Sequence, residues 1–156
     1  MNAEYINAFI EAVQGVFAEV AQKQLVIGAK TVKEKNVTGK NIAVLIGITG
    51  EIRGSITINM DEDFAIQTAS NMMCGMPVAE FDDMAQSAIR ELGNMMLGRV
   101  AALLEKQGKV IDITPPTLLM GKGITISNQI SPTLVLSFNE DAHVGVMDMD
   151  VAIKEV

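Results

Sequence analysis

Two segments of the chain repeat one another at a fixed distance, and that repetition limits the possible folds more than any single motif. AFIEAVQGVFAEV, starting at Ala8, lies over AIRELGNMMLGRV, starting at Ala88, at a shift of 80 residues, so that Glu11 falls on Glu91, Gln14 on Asn94 and Val20 on Val100. At a shift of 78, SITINMDED from Ser55 lies over TLVLSFNED from Thr133. The two matches agree in order and nearly in offset, which is the mark of a duplicated unit. The chain thus reads as one domain, 1–156, built of half-repeats at about 3–75 and 82–156, each a helix followed by three strands. The second half lacks the helix that closes the first.

Periodicity supplies the elements. Ile6, Phe9, Ile10, Val13, Phe17 and Val20 recur at helical spacing between about Ala3 and Gln22, and Asn2 stands where an N-cap belongs. Leu25 to Val32, Ile42 to Thr49 and Ile52 to Met60 read as strands, the last two joined by Gly50-Glu51, a Gly-first pair suited to a tight hairpin. Asp61 opens a helix through about Cys74, which Gly75 and Pro77 end; Asp82 or Asp83 opens a long helix, which Gly108 stops. Strands follow at Val110 to Ile113, Thr117 to Ser127, Thr133 to Phe138 and Val144 to Ile153, separated by Pro115-Pro116, Asn128 and Asn139. The expected fold is α+β, with long helices packed on an antiparallel sheet.

Composition removes several functions. With 156 residues, 49% of them hydrophobic and 20% charged, the chain can bury the core of one well-packed domain. Twelve basic residues against nineteen acidic ones give a formal charge of -7, which repels a phosphate backbone, so no nucleic-acid partner is expected. MNAEYINAFIEAVQ carries early acids and no basic stretch before an apolar run, so neither a signal peptide nor a membrane span is expected, and the protein reads as cytoplasmic. The single cysteine, Cys74, excludes an internal disulfide and reads as a small core residue rather than a nucleophile. His143, the one histidine, and the pair in Asp148-Met149-Asp150, which alternates as a half-exposed strand would, are too few for a metal site. Gly121-Lys122-Gly123 falls short of a P-loop. No metal or cofactor is expected on this chain. The eleven methionines suit gap-filling in a core, with an adaptable interface as the alternative.

The chemistry concentrates in SAIRELGNMMLGRVAALL, Ser87 to Leu104. At about 100° per residue, Ser87, Glu91, Asn94 and Gly98 share a stripe roughly 60° wide. Ile89, Leu92, Met96, Val100 and Leu103 fall largely on another side and can face the sheet. On a plain solvated face Glu91 would pair with Arg90 or Arg99 and Asn94 would meet water. Yet asparagine is a middling helix former, and Gly93 and Gly98 together cost a helix roughly 2 kcal/mol against alanine. Glycines beside a polar stripe let another backbone come close, so a partner is expected to dock on this face.

At these residues the sequence resembles the CheC/CheX family of chemotaxis phosphatases. Glu91-Leu92-Gly93-Asn94 matches the family's E-x-x-N motif, Ser87 stands at its acidic-or-serine position four residues earlier, and Pro115-Pro116 follows about twenty residues after Asn94, where the family also carries a proline. The resemblance covers most of the chain, because the family fold is likewise a pseudo-duplicated α+β domain with a long helix opening each half. The first helix here carries Glu11-Ala12-Val13-Gln14, so a single intact motif makes the chain more similar to CheX than to CheC, which usually has the motif in both halves.

The resemblance implies hydrolysis of the aspartyl phosphate on a phosphorylated CheY-like response regulator, with Glu91 and Asn94 as the catalytic pair and Ser87 and Gly98 in partner docking. An acyl phosphate is labile, so the catalyst need only hold water in line with the phosphorus. A carboxamide both donates and accepts, which suits Asn94 to gripping that water, while Glu91 pairs with the regulator's active-site lysine. The Mg2+ belongs to the regulator. Related flagellar-switch domains share the architecture without the pair, so a non-catalytic scaffold is the alternative. CheX-like proteins resemble one another in being homodimers, and Val144 to Val151, which has no proline or lysine, reads as an edge strand that would pair across a two-fold axis.

Overall fold

The computed structural model describes residues 2–34 and 36–156. In chain order the elements are α1 (Ala3–Val20), β1 (Leu25–Lys33), β2 (Val37–Thr38), β3 (Ile42–Gly50), β4 (Ile52–Met60), α2 (Glu62–Met72), α3 (Asp83–Lys106), β5 (Ile111–Ile113), β6 (Thr117–Met120), β7 (Thr125–Ile126), β8 (Thr133–Glu140) and β9 (His143–Glu155). Local chemistry accounts for most boundaries. The Asn2 side chain accepts from the Glu4 N–H at 2.8 Å, and that of Asp82 from the Ala85 N–H at 2.9 Å, so α1 and α3 each begin on a satisfied cap. Asp61 holds the cap position of α2 without a side-chain bond, and Glu62 and Asp63 complement the helix dipole there. Between β3 and β4, Gly50 adopts φ 108°, and a Cβ on it would lie 2.7 Å from the Val110 carbonyl oxygen, so only glycine fits.

The main sheet is antiparallel, in the order β1-β8-β9-β4-β3-β5, with β6 continuing along the same edge of β3. Strands β4 and β9 form the centre, β3 and β8 flank them, and β1 and the β5–β6 segment lie outermost. Each outer strand pairs with a strand of the opposite half, a pattern that two interleaved half-repeats would produce. Pro115-Pro116 separates β5 from β6 on this edge, where missing N–H groups are tolerated. Thr114 bridges the interruption: its N–H donates to the Gly47 carbonyl at 3.0 Å and its hydroxyl accepts from the Gly47 N–H at 2.8 Å.

Three expectations change. The segment Val144 to Val151 is a strand but not an edge, because β9 pairs with β4 from Ile52↔Glu155 to Met60↔Met147 and with β8 on its other side. Alternation reveals a strand and one buried face; it carries no information about neighbours. The segment Thr117 to Ser127 is two strands, since the chain leaves the sheet after Met120 and β7 pairs with β2, making a two-stranded strap. Cys74 lies exposed in the turn after α2, at φ 60°, rather than in the core.

All three helices contribute to one hydrophobic core with the sheet. Val44, Ile46, Ile58, Phe138 and Met149 meet Phe9, Phe17, Ile89, Leu92 and Met96, none more than 1% exposed. Each such side chain contributes about 1.5–3 kcal/mol by leaving water. Met60, Met96, Met147 and Met149 are fully buried, as gap-filling residues would be. The opposite face of the sheet is polar, and the strap comes against it: a Cβ on Gly39 would fall 2.4 Å from Asn59 Oδ1. Among the described residues no helix is long and apolar enough to cross a membrane.

Candidate functional site

On α3 the burial pattern divides the helix as its spacing predicts. Ile89, Leu92, Met96 and Val100 are fully buried, whereas Ser87, Glu91 and Gly98 are exposed and Asn94 is half-buried. The four stripe residues span about 16 Å of helix at 1.5 Å per residue, and Glu91 and Asn94 lie about 4.5 Å apart along the axis. The two ion pairs among the described residues are Lys23–Glu140 and Arg99–Glu19, so neither Arg90 nor Arg99 engages Glu91. The carboxylate and the carboxamide are presented side by side on a convex helix face.

The two glycines of this region act differently, which corrects the expectation that both flank the stripe. Gly93 is buried against the sheet: a Cβ there would lie 3.1 Å from Val44 Cγ1 and 3.3 Å from Ile46 Cδ1. Its small size sets the height of α3 above β3, and hence how far Glu91 and Asn94 stand out. The helical spacing itself carried this signal, since Gly93 falls close to the Leu92–Met96 side. Apart from its own stretch of helix, Gly98 has no described atom within 4 Å of where its Cβ would be, so it is open to solvent and to a partner.

The equivalent positions on α1 repeat the exposure pattern, with Glu11 exposed and Gln14 half-buried. Their surroundings differ. Arg99 reaches from α3 across α1, where a Cβ on Gly15 would lie 2.6 Å from its Nη1, and donates to Glu19 through Nη1 at 3.1 Å and Nη2 at 2.6 Å. This hydrogen bonding holds the Glu19 carboxyl below its ordinary range and raises Arg99, which also feels the charge of Glu11. Sequence reasoning missed this pair, although the 80-residue shift that aligns Glu11 with Glu91 also aligns Glu19 with Arg99, opposite charges at equivalent positions.

A cleft of about 590 Å³ is lined by Tyr5, Ile52, Gln129, Pro132, Ile153 and Glu155 among others and contains none of the four stripe residues. A polar stripe on a helix face, outside that cleft, suits a macromolecular partner with a concave site rather than a free small molecule. Glu91 and Asn94 offer a fixed negative charge and a neutral donor–acceptor. Such a pair can dock a cation and orient a water; it supplies no covalent nucleophile.

Known proteins match this chain over most of its length. The family described as chemotaxis phosphatase CheX matches residues 42–139, a span that contains the whole of α3. The CheY-P phosphatase CheX of Thermotoga maritima is 39% identical over 132 residues, covering 82% of this chain and 83% of that protein. The chemotaxis protein CheX from Desulfovibrio desulfuricans has the same fold, with a TM-score of 0.85 and 26% identity over 98% of this chain and 99% of the other. A chain of the CheX–CheY–BeF3–Mg2+ complex from Borrelia burgdorferi matches with a TM-score of 0.79 and 29% identity, over 97% and 98% of the two chains. Through the family match over residues 42–139 and its 39% identity to a CheY-P phosphatase CheX, this chain belongs to the chemotaxis phosphatase CheX family.

Proposed function

We propose that this chain removes the phosphoryl group from the aspartyl phosphate of a CheY-like response regulator, using Glu91 and Asn94 from α3. The observation that carries the proposal is the pair itself: a Glu91 with no ion-pair partner among the described residues and a half-buried Asn94 on one helix face, in a chain 39% identical to a CheY-P phosphatase. In this mechanism Ser87 and Gly98 let the regulator's backbone approach, and Glu91 forms an ion pair with the regulator's active-site lysine. Asn94 then enters beside the phosphoryl group. Its amide N–H₂ and C=O hold one water in line with the phosphorus, so the water attacks while the aspartyl oxygen leaves. Mg2+ and lysine, both supplied by the regulator, neutralise the equatorial oxygens. No group on this chain needs to titrate. The decisive experiment follows loss of phosphate from a phosphorylated CheY-like protein: addition of this chain should accelerate it, and an unchanged decay rate overturns the proposal.

The same proposal treats the protein as a cytoplasmic homodimer. With β9 inside the sheet, the edges left for pairing are β1 and the β5–β6 segment. On β1, Val26 and Val32 are more than half exposed, which favours that edge. Light scattering that returns the mass of a single chain at micromolar concentration removes the dimer without touching the phosphatase.

A further inference from the structure

The sheet face turned away from the helices buries a polar pair that the phosphatase mechanism does not use. Asn59 on β4 is 1% exposed and Asp150 on β9 is 2% exposed, although the acid–apolar alternation of Asp148-Met149-Asp150 leads one to expect a half-exposed carboxylate. Asn59 Nδ2 donates to Asp150 Oδ2 at 2.8 Å. The other oxygen of each residue, Asn59 Oδ1 and Asp150 Oδ1, is buried with no hydrogen-bond partner among the described residues.

The surroundings offer an ionised Asp150 little help. Its register partners are Thr57 on β4 and Val135 on β8, both uncharged. From the strap, Gly39 closes over Asn59. The charged neighbour is Asp148, two residues back along β9 and directly opposite Asn59, and its field opposes a second negative charge. An ionised Asp150 would leave two buried acceptor oxygens without a donor among the described residues, a costly arrangement for buried polar groups.

One proton shared between the two oxygens would give each a partner. We propose that Asp150 is a proton-binding site in the core: its carboxyl is held neutral, Oδ1–H donating to Asn59 Oδ1 while Asn59 Nδ2–H donates to Oδ2. The result is an eight-membered acid–amide ring that ties β4 to β9 beneath the β2–β7 strap.

Desolvation pushes the Asp150 carboxyl up to about 7 from its ordinary 3.8; the Asn59 hydrogen bond pulls the other way and Asp148 adds to the rise. When the group ionises, the proton passes to solvent and the ring loses one of its two hydrogen bonds. Because the folded value is raised, the proton's contribution to stability is whole below about pH 4, declines as pH rises, and is gone above about pH 7.

The test uses the full chain. The side-chain carboxyl carbon of Asp150, followed by NMR, should titrate near pH 7; a midpoint near 4 overturns the proposal. Asp150→Asn keeps the shape and donates from its amide to Asn59 Oδ1 without ionising. In denaturant unfolding, the unfolding constant of the wild type relative to that of the variant should rise about tenfold per pH unit between pH 4 and 7, approaching a thousandfold. A ratio that stays constant over that range overturns the proposal, as does stabilisation of the wild type but not the variant by millimolar Mg2+ or Ca2+, which would assign the two oxygens to a cation. If Asp150→Asn fails to fold, the carboxyl titration of the wild type decides alone.

Discussion

On α1, Glu11 is exposed and Gln14 half-buried; on α3, Glu91 and Asn94 show the same two exposures. The backbone and the spacing are shared, and the difference lies in what surrounds each pair. Beside Gln14, Gly15 lies under the guanidinium of Arg99, whereas the corresponding position beside Asn94 is Met95 and the stripe ends on the open Gly98. Ala18 stands where α3 has Gly98, and Asn7 where it has Ser87. Gln14 is also one methylene longer than Asn94, and a displacement of ~1 Å in a positioned group can cost ~100-fold in rate. A helix pattern thus creates a candidate pair, and under the proposed mechanism clearance around the pair and the reach of its amide decide whether it is usable.

The comparison can be broken or sharpened by substitution. Asn94→Ala should have the largest effect, a loss of at least ~100-fold in stimulated dephosphorylation with binding to the phosphorylated regulator retained, because in the proposed mechanism the residue acts on the water. A variant as active as wild type would remove the water-holding role. Glu91→Ala should weaken binding and rate together by about tenfold, and its binding should be less sensitive to salt than that of the wild type; an unchanged salt dependence would argue against the ion pair.

Smaller effects distinguish the two surfaces. Gly98→Ala should raise stability by about 1 kcal/mol, since the helix gains propensity and no described atom beyond its own stretch of helix lies within 4 Å of the new methyl group, while regulator binding falls several-fold. Thermal unfolding and a binding titration read the two effects separately, and unaltered binding would remove Gly98 from the docking surface. Gln14→Ala should leave activity unchanged. A loss as large as that of Asn94→Ala, in a folded variant, would make the two helices equivalent and break the comparison.

What the sequence disclosed follows from the range of the interactions involved. The bounds of α1 and α3 were legible because capping and apolar spacing act over three or four residues, and Asn2 and Asp82 cap as their positions suggest. The exposure of Glu91 and Asn94 was legible for the same reason. The position of β9 was not, since Met60↔Met147 and Leu134↔Val151 are pairings that no local pattern encodes. Burial of Asp150 was hidden likewise: alternation marks two faces, and the strap that covers the second comes from residues far away in the chain. The Arg99–Glu19 contact lay between these cases, present in the repeat alignment but visible only once equivalent positions are allowed to touch.

The central place of β9 bears on how the protein is made. Every other strand of the sheet precedes it, so a growing chain that has displayed β1 through β8 holds two separate fragments, β4-β3-β5 and β1-β8, that do not pair with each other as strands. Each fragment then shows bare strand edges and half a hydrophobic face, the condition in which chains stick to one another or to chaperones. Pairings such as Leu25↔Glu140 and Ile52↔Glu155 also span more than a hundred residues, which slows the closing step. The helix that presents Glu91 and Asn94 is synthesised midway along the chain, but the sheet beneath it becomes continuous only when β9 slides into the gap.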